Sequence, residues 1–258
     1  MTPNDLDREL AKLEAAHLKR VRRTPQNPCG PEMALGGRQL VAFASNDYLG
    51  LANDPALKQG AIEAVKCWGV GAGASPLVSG RLGIFDALEQ RLAEFAQRDA
   101  ALFFPSGFQA NLGVLTALTD RHDVIFADRV NHASLIDGAL LSRAEHCRYQ
   151  HADLADLKQK LETTPVTPGG ARLIVTDSVF SMDGDEAPLR DLLALAEQYD
   201  AWLIVDDAHG LGVLGPQGRG SIADAGLPPH PNLVMIGTLG KAAGVSGAFV
   251  AGQRNVVE

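Results

Sequence analysis

The sequence predicts an α/β protein: a mostly parallel β-sheet sandwiched by helices, with a separate helical segment at the N-terminus. Short apolar segments typical of buried strands alternate with longer amphipathic segments typical of helices, and this alternation indicates βαβ units. The 258 residues, 46% of them hydrophobic, are enough for one large core. The formal net charge of −8 argues against a simple nucleic-acid binder, which would carry a basic excess.

The first 37 residues are predicted to form a helix and a linker ahead of a large domain over 38–258. Leucines recur near helical spacing at the start of the chain, so we predict an amphipathic helix over 5–23 that ends in a basic cluster. The Pro- and Gly-rich stretch 24–37 is typical of a linker.

The sequence carries no signal for export, membrane crossing or disulfide bonding. Its first residues are charged throughout and lack an apolar h-region, and no run of about 18 apolar residues occurs. The three cysteines are odd in number and show no Cys-x-x-Cys spacing, which argues against a disulfide framework or a zinc site. We therefore expect a cytoplasmic protein without a membrane partner or a bound metal.

The strands and helices of the large domain follow from the apolar pattern. Strands are predicted at 101–104, 123–127, 171–176, 201–206 and 232–237, and helices at 107–119, 133–143, 152–163 and 188–200. Ligands of such sheets bind beyond the carboxyl ends of the strands. The residues that follow each strand are therefore the candidates for a functional site.

The first three strands are followed by polar segments that allow two interpretations. Ser106 and Gly107 open a helix whose free N–H groups suit a phosphate, although Ser-Gly is also plain turn chemistry. His132 lies just before a helix, where capping or packing is more common than catalysis. The Asp- and Ser-rich segment 177–185 does not have the spacing of a Ca²⁺ loop, and turn formation explains part of it.

The last two strands end in the strongest signals. Asp206 closes a buried strand with His209 three residues later, and burying such a charge is costly without a cationic partner. Helix capping is the alternative role, and it fits Asp207 better than Asp206. Lys241 stands among small residues at the end of an apolar strand, where a lysine can have a lowered pKa and act as a nucleophile.

These features together match the needs of pyridoxal 5'-phosphate (PLP). A lysine amine forms a Schiff base with its aldehyde, a carboxylate keeps the pyridine nitrogen protonated, a ring stacks on it, and helix-start N–H groups hold its phosphate. A nearby carboxylate raises the pKa of the ring nitrogen because opposite charges favour the protonated form. We therefore expect PLP as the cofactor.

Six segments, in chain order between about residues 38 and 252, resemble the α-oxoamine synthase family. They are SNDYLGL at 45–51, SGF at 106–108, NHAS at 131–134, VFSMDGD at 179–185, DDAHG at 206–210 and TLGK at 238–241. Members are fold-type I enzymes that use PLP to join an amino acid to an acyl thioester with loss of carbon dioxide. The resemblance implies that 38–258 is the large domain of a type I PLP-dependent transferase.

The resemblance also implies a role for each matching residue. Lys241 would form the Schiff base and later move the substrate α-proton, His132 would stack on the ring, Asp206 would pair with the ring nitrogen, and His209 would contact the ring hydroxyl. Cofactor contacts would come from Gly107, Phe108, Ser181 and Thr238, and substrate contacts from Arg20, Asn46 and His132, with Arg22 a near rival of Arg20.

Within the family, the sequence looks most like the member that condenses L-alanine with a pimeloyl thioester, on CoA or a carrier protein, in biotin synthesis. A sister synthase that uses glycine or serine with another acyl-CoA is the alternative, as is an inactive remnant that binds PLP. A nucleotide-binding oxidoreductase is disfavoured because no G-x-G-x-x-G follows the first strand.

Two departures from the family pattern bear on these expectations. Family members continue well past the lysine strand and form homodimers, so we expect a truncated form that lacks the C-terminal domain and is inactive or unstable. Asp177 stands where relatives generally carry Glu, with an effect that the sequence leaves open.

Overall fold

The computed structural model describes residue 2 and residues 5–258. The chain divides into two compact units, Met1–Ala44 and Ser45–Glu258. In the first unit, helix α1 (Asp5–Ala15) precedes strands β1 (Glu32–Leu35) and β2 (Arg38–Val41). The domain boundary predicted between residues 37 and 38 stays a prediction.

Helix α1 is shorter than the predicted helix over 5–23. Its end is fixed by His17, whose φ of 56° is left-handed, and by the N–H of Leu18, which donates to the carbonyl of Leu13 at 2.8 Å. Such a closing bond is a common helix terminator. The basic residues that follow would also repel one another on one helix face.

The predicted linker over 24–37 is partly wrong, because its second half enters a β-hairpin. Strands β1 and β2 pair in antiparallel fashion, with Leu35 opposite Arg38. Gly36 and Gly37 between them have φ values of 57° and 75°. Both are the positive angles that a two-residue hairpin turn requires, and glycine adopts them without steric cost.

The second unit contains the large sheet and its helices. In chain order its described elements are α2 (Pro55–Trp68), α3 (Gly83–Ala96), β3 (Ala100–Phe104), α4 (Gly107–Leu118), β4 (Val124–Asp128), α5 (Ala133–Ser142), β5 (Glu145–Tyr149), α6 (Leu154–Thr163), β6 (Arg172–Asp177), α7 (Leu189–Gln198), β7 (Ala201–Asp206), α8 (Ser221–Asp224), β8 (Leu233–Thr238), β9 (Ala248–Gly252) and α9 (Arg254–Val257).

The sheet is mostly parallel, as predicted. Its strand order is β3-β9-β8-β7-β6-β4-β5, and among these seven described strands β9 alone runs in the direction opposite to the other six. The five predicted strands and four predicted helices are all present. Strands β5 and β9 and helices α2, α3, α8 and α9 are additional elements that the sequence analysis did not identify.

Apolar side chains cover both faces of the sheet. Along β4, Phe126 joins the core on one face, while Ile125 joins the core on the other. Helices α3, α6 and α7 contribute to the first core, and α4 and α5 contribute to the second. Burial on both faces is typical of parallel sheets, and it leaves the carboxyl ends of the strands free for a site.

Candidate active site

A cavity of about 200 Å³ lies at the carboxyl ends of the central strands. Every residue predicted to bind the cofactor lines it, and four further residues complete it. The lining residues are Gly107, Phe108, Asn111, His132, Ser134, Asp177, Ser181, Asp206, Ala208, His209, Thr238 and Lys241. The fold therefore brings together side chains that come from several separate loops.

Lys241 follows strand β8 and is partly buried at the cavity. Burial lowers the pKa of its amine, against the opposing effect of the carboxylates of Asp206 and Asp177. Its Nζ lies 2.8 Å from Nε2 of His209. A lowered pKa increases the neutral fraction of an amine, and the neutral amine is the nucleophile.

Two of the glycines that follow Lys241 are required by packing. Gly244 has a φ of 70°, and a Cβ there would lie 2.5 Å from the backbone nitrogen of Ala52. A Cβ at Gly247 would lie 2.5 Å from the ring of Phe103. Both positions need glycine because neighbouring chain occupies the space of a side chain.

Asp206 ends strand β7 and is only 6% exposed. Its Oδ2 accepts a hydrogen bond from Nδ2 of Asn111 at 2.7 Å, and its Oδ1 accepts one from the N–H of Ala208 at 3.0 Å. A carboxylate has about four acceptor positions. The Asp206 carboxylate can therefore accept a further hydrogen bond from a cationic or N–H donor in the cavity.

Asp207, the next residue, holds the loop and does not line the cavity. It is fully buried, and it accepts hydrogen bonds from Ser178 Oγ at 2.6 Å and from the Ser221 N–H at 3.0 Å. Ser221 is the first residue of α8, so capping belongs to Asp207. Burial raises the pKa of Asp207 to about 6.

His132 is fixed by the start of helix α5. It is the N-cap residue of that helix, and its Nδ1 lies 2.7 Å from Oγ of Ser134. Ser134 Oγ in turn accepts from Nδ2 of Asn111 at 2.8 Å. A hydrogen-bonded chain therefore runs from Asp206 through Asn111 and Ser134 to His132. His132 both caps a helix and presents its ring to the cavity.

Asp177 lies beside Asp206 in the register of the parallel strands β6 and β7. Its Oδ2 accepts from the backbone N–H of His132 at 2.7 Å. Burial, and then the charge of Asp206, raise the pKa of Asp177 to about 7. The shorter side chain thus reaches the histidine segment, and it is partly protonated near neutral pH.

The N-terminus of α4 forms an anion-binding end of the cavity. Ser106 caps the helix, with its Oγ accepting from the N–H of Gln109. The first helical N–H groups, those of Gly107 and Phe108, have no partners within the helix and carry the positive end of its dipole. The hydroxyls of Ser181 and Thr238 line the same cavity. This set suits a phosphate.

Of the predicted substrate residues, His132 lines the cavity and Asn46 is not part of its lining. Asn46 is exposed and reaches the site through Tyr48, whose hydroxyl lies 3.3 Å from Asn46 Oδ1 and 2.6 Å from His209 Nδ1. Arg20 is exposed in the N-terminal unit, in the chain that follows α1. The substrate roles of Asn46, Arg20 and its rival Arg22 stay predictions.

Sequence reasoning did not assign a role to Asn111, Ser134 and Asp177, which line the cavity, or to Tyr48, which contacts His209. Asn111 had a usable signal, because it lies four residues after Gly107 and therefore on the same helix face. Among the described residues, no group of three or more His, Cys, Asp or Glu side chains could hold a metal ion. No described helix has the length and apolar content to span a bilayer.

Comparison of sequences identifies relatives across almost the whole chain. The profile of aminotransferase class I and II matches residues 38–258. The chain is 57% identical over 250 residues to 8-amino-7-oxononanoate synthase of Azoarcus sp. (strain BH72), covering 97% of this chain and 63% of the relative. It is 55% identical over 260 residues to 8-amino-7-oxononanoate synthase of Herminiimonas arsenicoxydans, covering 100% and 66%. The chain thus spans 63% and 66% of these two relatives' lengths.

Solved structures share the fold. Serine palmitoyltransferase of S. paucimobilis, with a bound PLP–myriocin aldimine, has a TM-score of 0.87 at 30% identity, covering 96% of this chain and 64% of that one. 8-Amino-7-oxononanoate synthase of Francisella tularensis has a TM-score of 0.69 at 35% identity, covering 83% and 58%. The first is an α-oxoamine synthase. These findings confirm the predicted resemblance and the predicted fold of a type I transferase large domain.

Proposed function

This chain belongs to the aminotransferase class I and II family, and from that premise we propose that it binds PLP and condenses L-alanine with a pimeloyl thioester. The product would be 8-amino-7-oxononanoate, of biotin synthesis. The observation that carries the proposal is the cavity that holds the Lys241 amine and the Asp206 carboxylate together. The names of the relatives at 57% and 55% identity support the choice of product.

The residues around the cavity fit PLP, which has an aldehyde, a basic ring nitrogen and a phosphate. Lys241 supplies an amine for the aldehyde, and Asp206 has free acceptor capacity for a protonated ring nitrogen. Asn111 Oδ1 is buried without a hydrogen-bond partner in the described part of the chain. An unpartnered buried oxygen is costly, so a ligand that donates a hydrogen bond to it would be stabilised in this site.

Each cofactor contact has a candidate residue. Lys241 would hold PLP covalently, and Asp206 would keep its ring nitrogen protonated. His132 would stack on the ring, and His209 would contact its hydroxyl. The phosphate would lie at the start of α4, where N–H groups and the Ser181 and Thr238 hydroxyls meet.

The chain's own residues would then position the substrate and move its proton. When bound, PLP supplies an electron-accepting ring that stabilises negative charge on the substrate α-carbon. Once its amine is free of the cofactor, Lys241 Nζ would take the α-proton, and His209, whose Nε2 lies 2.8 Å from Nζ, would orient that amine. Asp206 would stabilise the positive charge of the ring nitrogen, and such electrostatic stabilisation is a large catalytic effect in a low-dielectric site. One L-alanine and one pimeloyl thioester would yield the amino ketone acid, carbon dioxide and a free thiol.

A sister synthase that uses serine and a long acyl-CoA is the second candidate. It is favoured by the TM-score of 0.87 with serine palmitoyltransferase, against 0.69 with the Francisella tularensis 8-amino-7-oxononanoate synthase. It is opposed by the sequence identities, 30% against 57% for the Azoarcus relative. Sequence identity bears more directly on substrate choice than backbone similarity does, because function depends on the residues of the site and not on the fold.

We also propose that the full-length protein is a cytoplasmic homodimer that takes its acyl group from CoA or a carrier protein. Exposed apolar side chains on α2, including Ile62, Val65 and Trp68, support the dimer, because exposed apolar patches mark interaction surfaces.

Borohydride reduction tests the cofactor and the lysine together. The chain is mixed with PLP, its visible absorption is recorded, and the reduced protein is digested for mass spectrometry, with Lys241→Ala as the control. Turnover is measured separately, with a pimeloyl thioester and each amino acid. A label on Lys241, together with product formed from L-alanine but not from glycine or serine, supports the proposal. A label without turnover would favour a PLP-binding remnant. Absence of any label would overturn the proposal.

A further inference from the structure

A hydrogen-bonded chain runs from Lys241 to the segment at 45–51. Lys241 Nζ lies 2.8 Å from His209 Nε2, and His209 Nδ1 lies 2.6 Å from the hydroxyl of Tyr48. That hydroxyl lies 3.3 Å from Oδ1 of Asn46. The contact between Tyr48 and His209 joins residues 161 positions apart, and no role above uses it.

The protonation states of the chain members limit how its protons can be arranged. Burial, and then the charge of Lys241, lower the pKa of His209, so its ring is neutral near pH 7 and carries one N–H. Burial raises the pKa of Tyr48, so its hydroxyl keeps its proton. Asn46 Oδ1 can only accept.

Only one arrangement then places a proton in every contact while Lys241 is an ammonium group. Lys241 donates to Nε2 of His209, Nδ1–H of His209 donates to the Tyr48 oxygen, and the Tyr48 hydroxyl donates to Asn46. In the reverse arrangement, Tyr48 donates to Nδ1. No proton then lies between the Tyr48 oxygen and Oδ1 of Asn46, and the Nε2–H of His209 points at the ammonium group of Lys241.

We propose that Tyr48 is a positioning residue that holds His209 in the Nδ1-protonated tautomer, so that Nε2 presents its lone pair to the Lys241 amine. Tyr48 thereby directs one Nζ–H bond and fixes the orientation of the amine. Asn46 takes part by accepting the Tyr48 proton. The significance of this arrangement for catalysis rests on the proposed function, whereas the tautomer itself does not.

Nitrogen NMR of the cofactor-free chain tests the tautomer. The histidines are labelled with ¹⁵N, and the His209 signals are assigned by their loss in His209→Gln. We expect Nδ1 of His209 to appear as a protonated nitrogen and Nε2 as an unprotonated one. The effect of Tyr48 is measured in a Lys241→Ala background, because the ammonium group of Lys241 by itself disfavours Nε2–H. In that background the Nδ1–H form should persist. Adding Tyr48→Phe, which removes only the hydroxyl, should then exchange the character of the two signals, because an unconstrained histidine in water favours the Nε2–H form.

Two further variants separate this proposal from a general structural effect. In the Lys241→Ala background, Asn46→Ala keeps the tyrosine but removes its acceptor, so Tyr48 can donate to Nδ1 and the same exchange of signals is expected. Tyr199→Phe removes a hydroxyl that donates to Glu162 at 2.8 Å outside the site, and it should leave His209 unchanged.

Each outcome of these measurements either supports the role of Tyr48 or overturns it. The Nε2–H tautomer in the unmodified chain or in Lys241→Ala, or an unchanged His209 spectrum when Tyr48→Phe is added to Lys241→Ala, would overturn the proposal. Because this readout uses no cofactor, it is independent of the borohydride experiment. A confirmed tautomer with no PLP label would contradict the proposed function and leave the positioning role standing.

Discussion

Replacing Asp177 with Asn should stabilise the cofactor-free chain above neutral pH. The Asp177 carboxyl is only 6% exposed, and burial with the charge of Asp206 raises its pKa from 3.8 to about 7. The folded state therefore disfavours the carboxylate. Ionisation of Asp177 therefore lowers the free energy of unfolding. This loss is absent below pH 3.8, grows as the pH rises, and is complete above the folded pKa of about 7.

The magnitude follows from the size of the pKa change. At about 1.4 kcal/mol for each unit of pKa, the full cost is about 4 kcal/mol. Asn keeps an acceptor for the His132 N–H, but the neutral bond is weaker by about 1 kcal/mol. The expected net gain for Asp177→Asn is about 2–3 kcal/mol at pH 8 and close to zero at pH 5.

Urea denaturation at pH 5 and pH 8 measures this difference. Asp137→Asn, at an exposed position on α5, is the matched control and should change stability little at either pH. Equal effects of Asp177→Asn at both pH values, or a loss of stability at pH 8, would refute the reasoning from burial and charge.

Three further predictions concern the cofactor, a charged cluster and the core. Asp206→Asn should weaken PLP binding about 10–100-fold, because a hydrogen bond to a charged group contributes about 1.5–3 kcal/mol; titration of the visible band measures this, and unchanged affinity would contradict the ring-nitrogen pairing. Burial opposes the charge of His151, but its bonds to Asp128 and Asp185 outweigh burial and raise its pKa. Its stabilising contribution is therefore complete below pH 6.5 and is lost as the pH rises through the higher folded value, and denaturation of His151→Gln should show a flatter pH dependence. Leu157 is fully buried under the sheet, so replacing it with Ala should lower the free energy of unfolding by about 2–5 kcal/mol. A smaller decrease in urea denaturation would indicate that α6 packs loosely.

The elements predicted from the sequence are those with a strong apolar signal. Strands β4, β6, β7 and β8 are central and buried on both faces, so their residues form continuous apolar runs. Strand β5, with the sequence EHCRY, lies at the edge of the sheet. An edge strand can be polar, so it carries no such run.

Helix α2 illustrates a different kind of miss. Asp54 and Pro55 mark its start clearly, since the Asp54 side chain accepts from the N–H of Ala56 and Pro55 is the first helical residue. The helix has no buried residue. It therefore lacks the apolar face facing the core that makes a helix easy to identify from sequence.

The sequence by itself determined the strands and therefore the residues that follow them, among which Lys241 and Asp206 stand out. This works because the carboxyl ends of parallel strands meet at one edge of the sheet, whatever the strand order. Only the tertiary structure decided that Asn111 bonds Asp206, 95 positions away, and that Tyr48 bonds His209, 161 positions away. Such contacts depend on the path of each loop to within about an ångström, because a hydrogen bond weakens steeply with distance and angle.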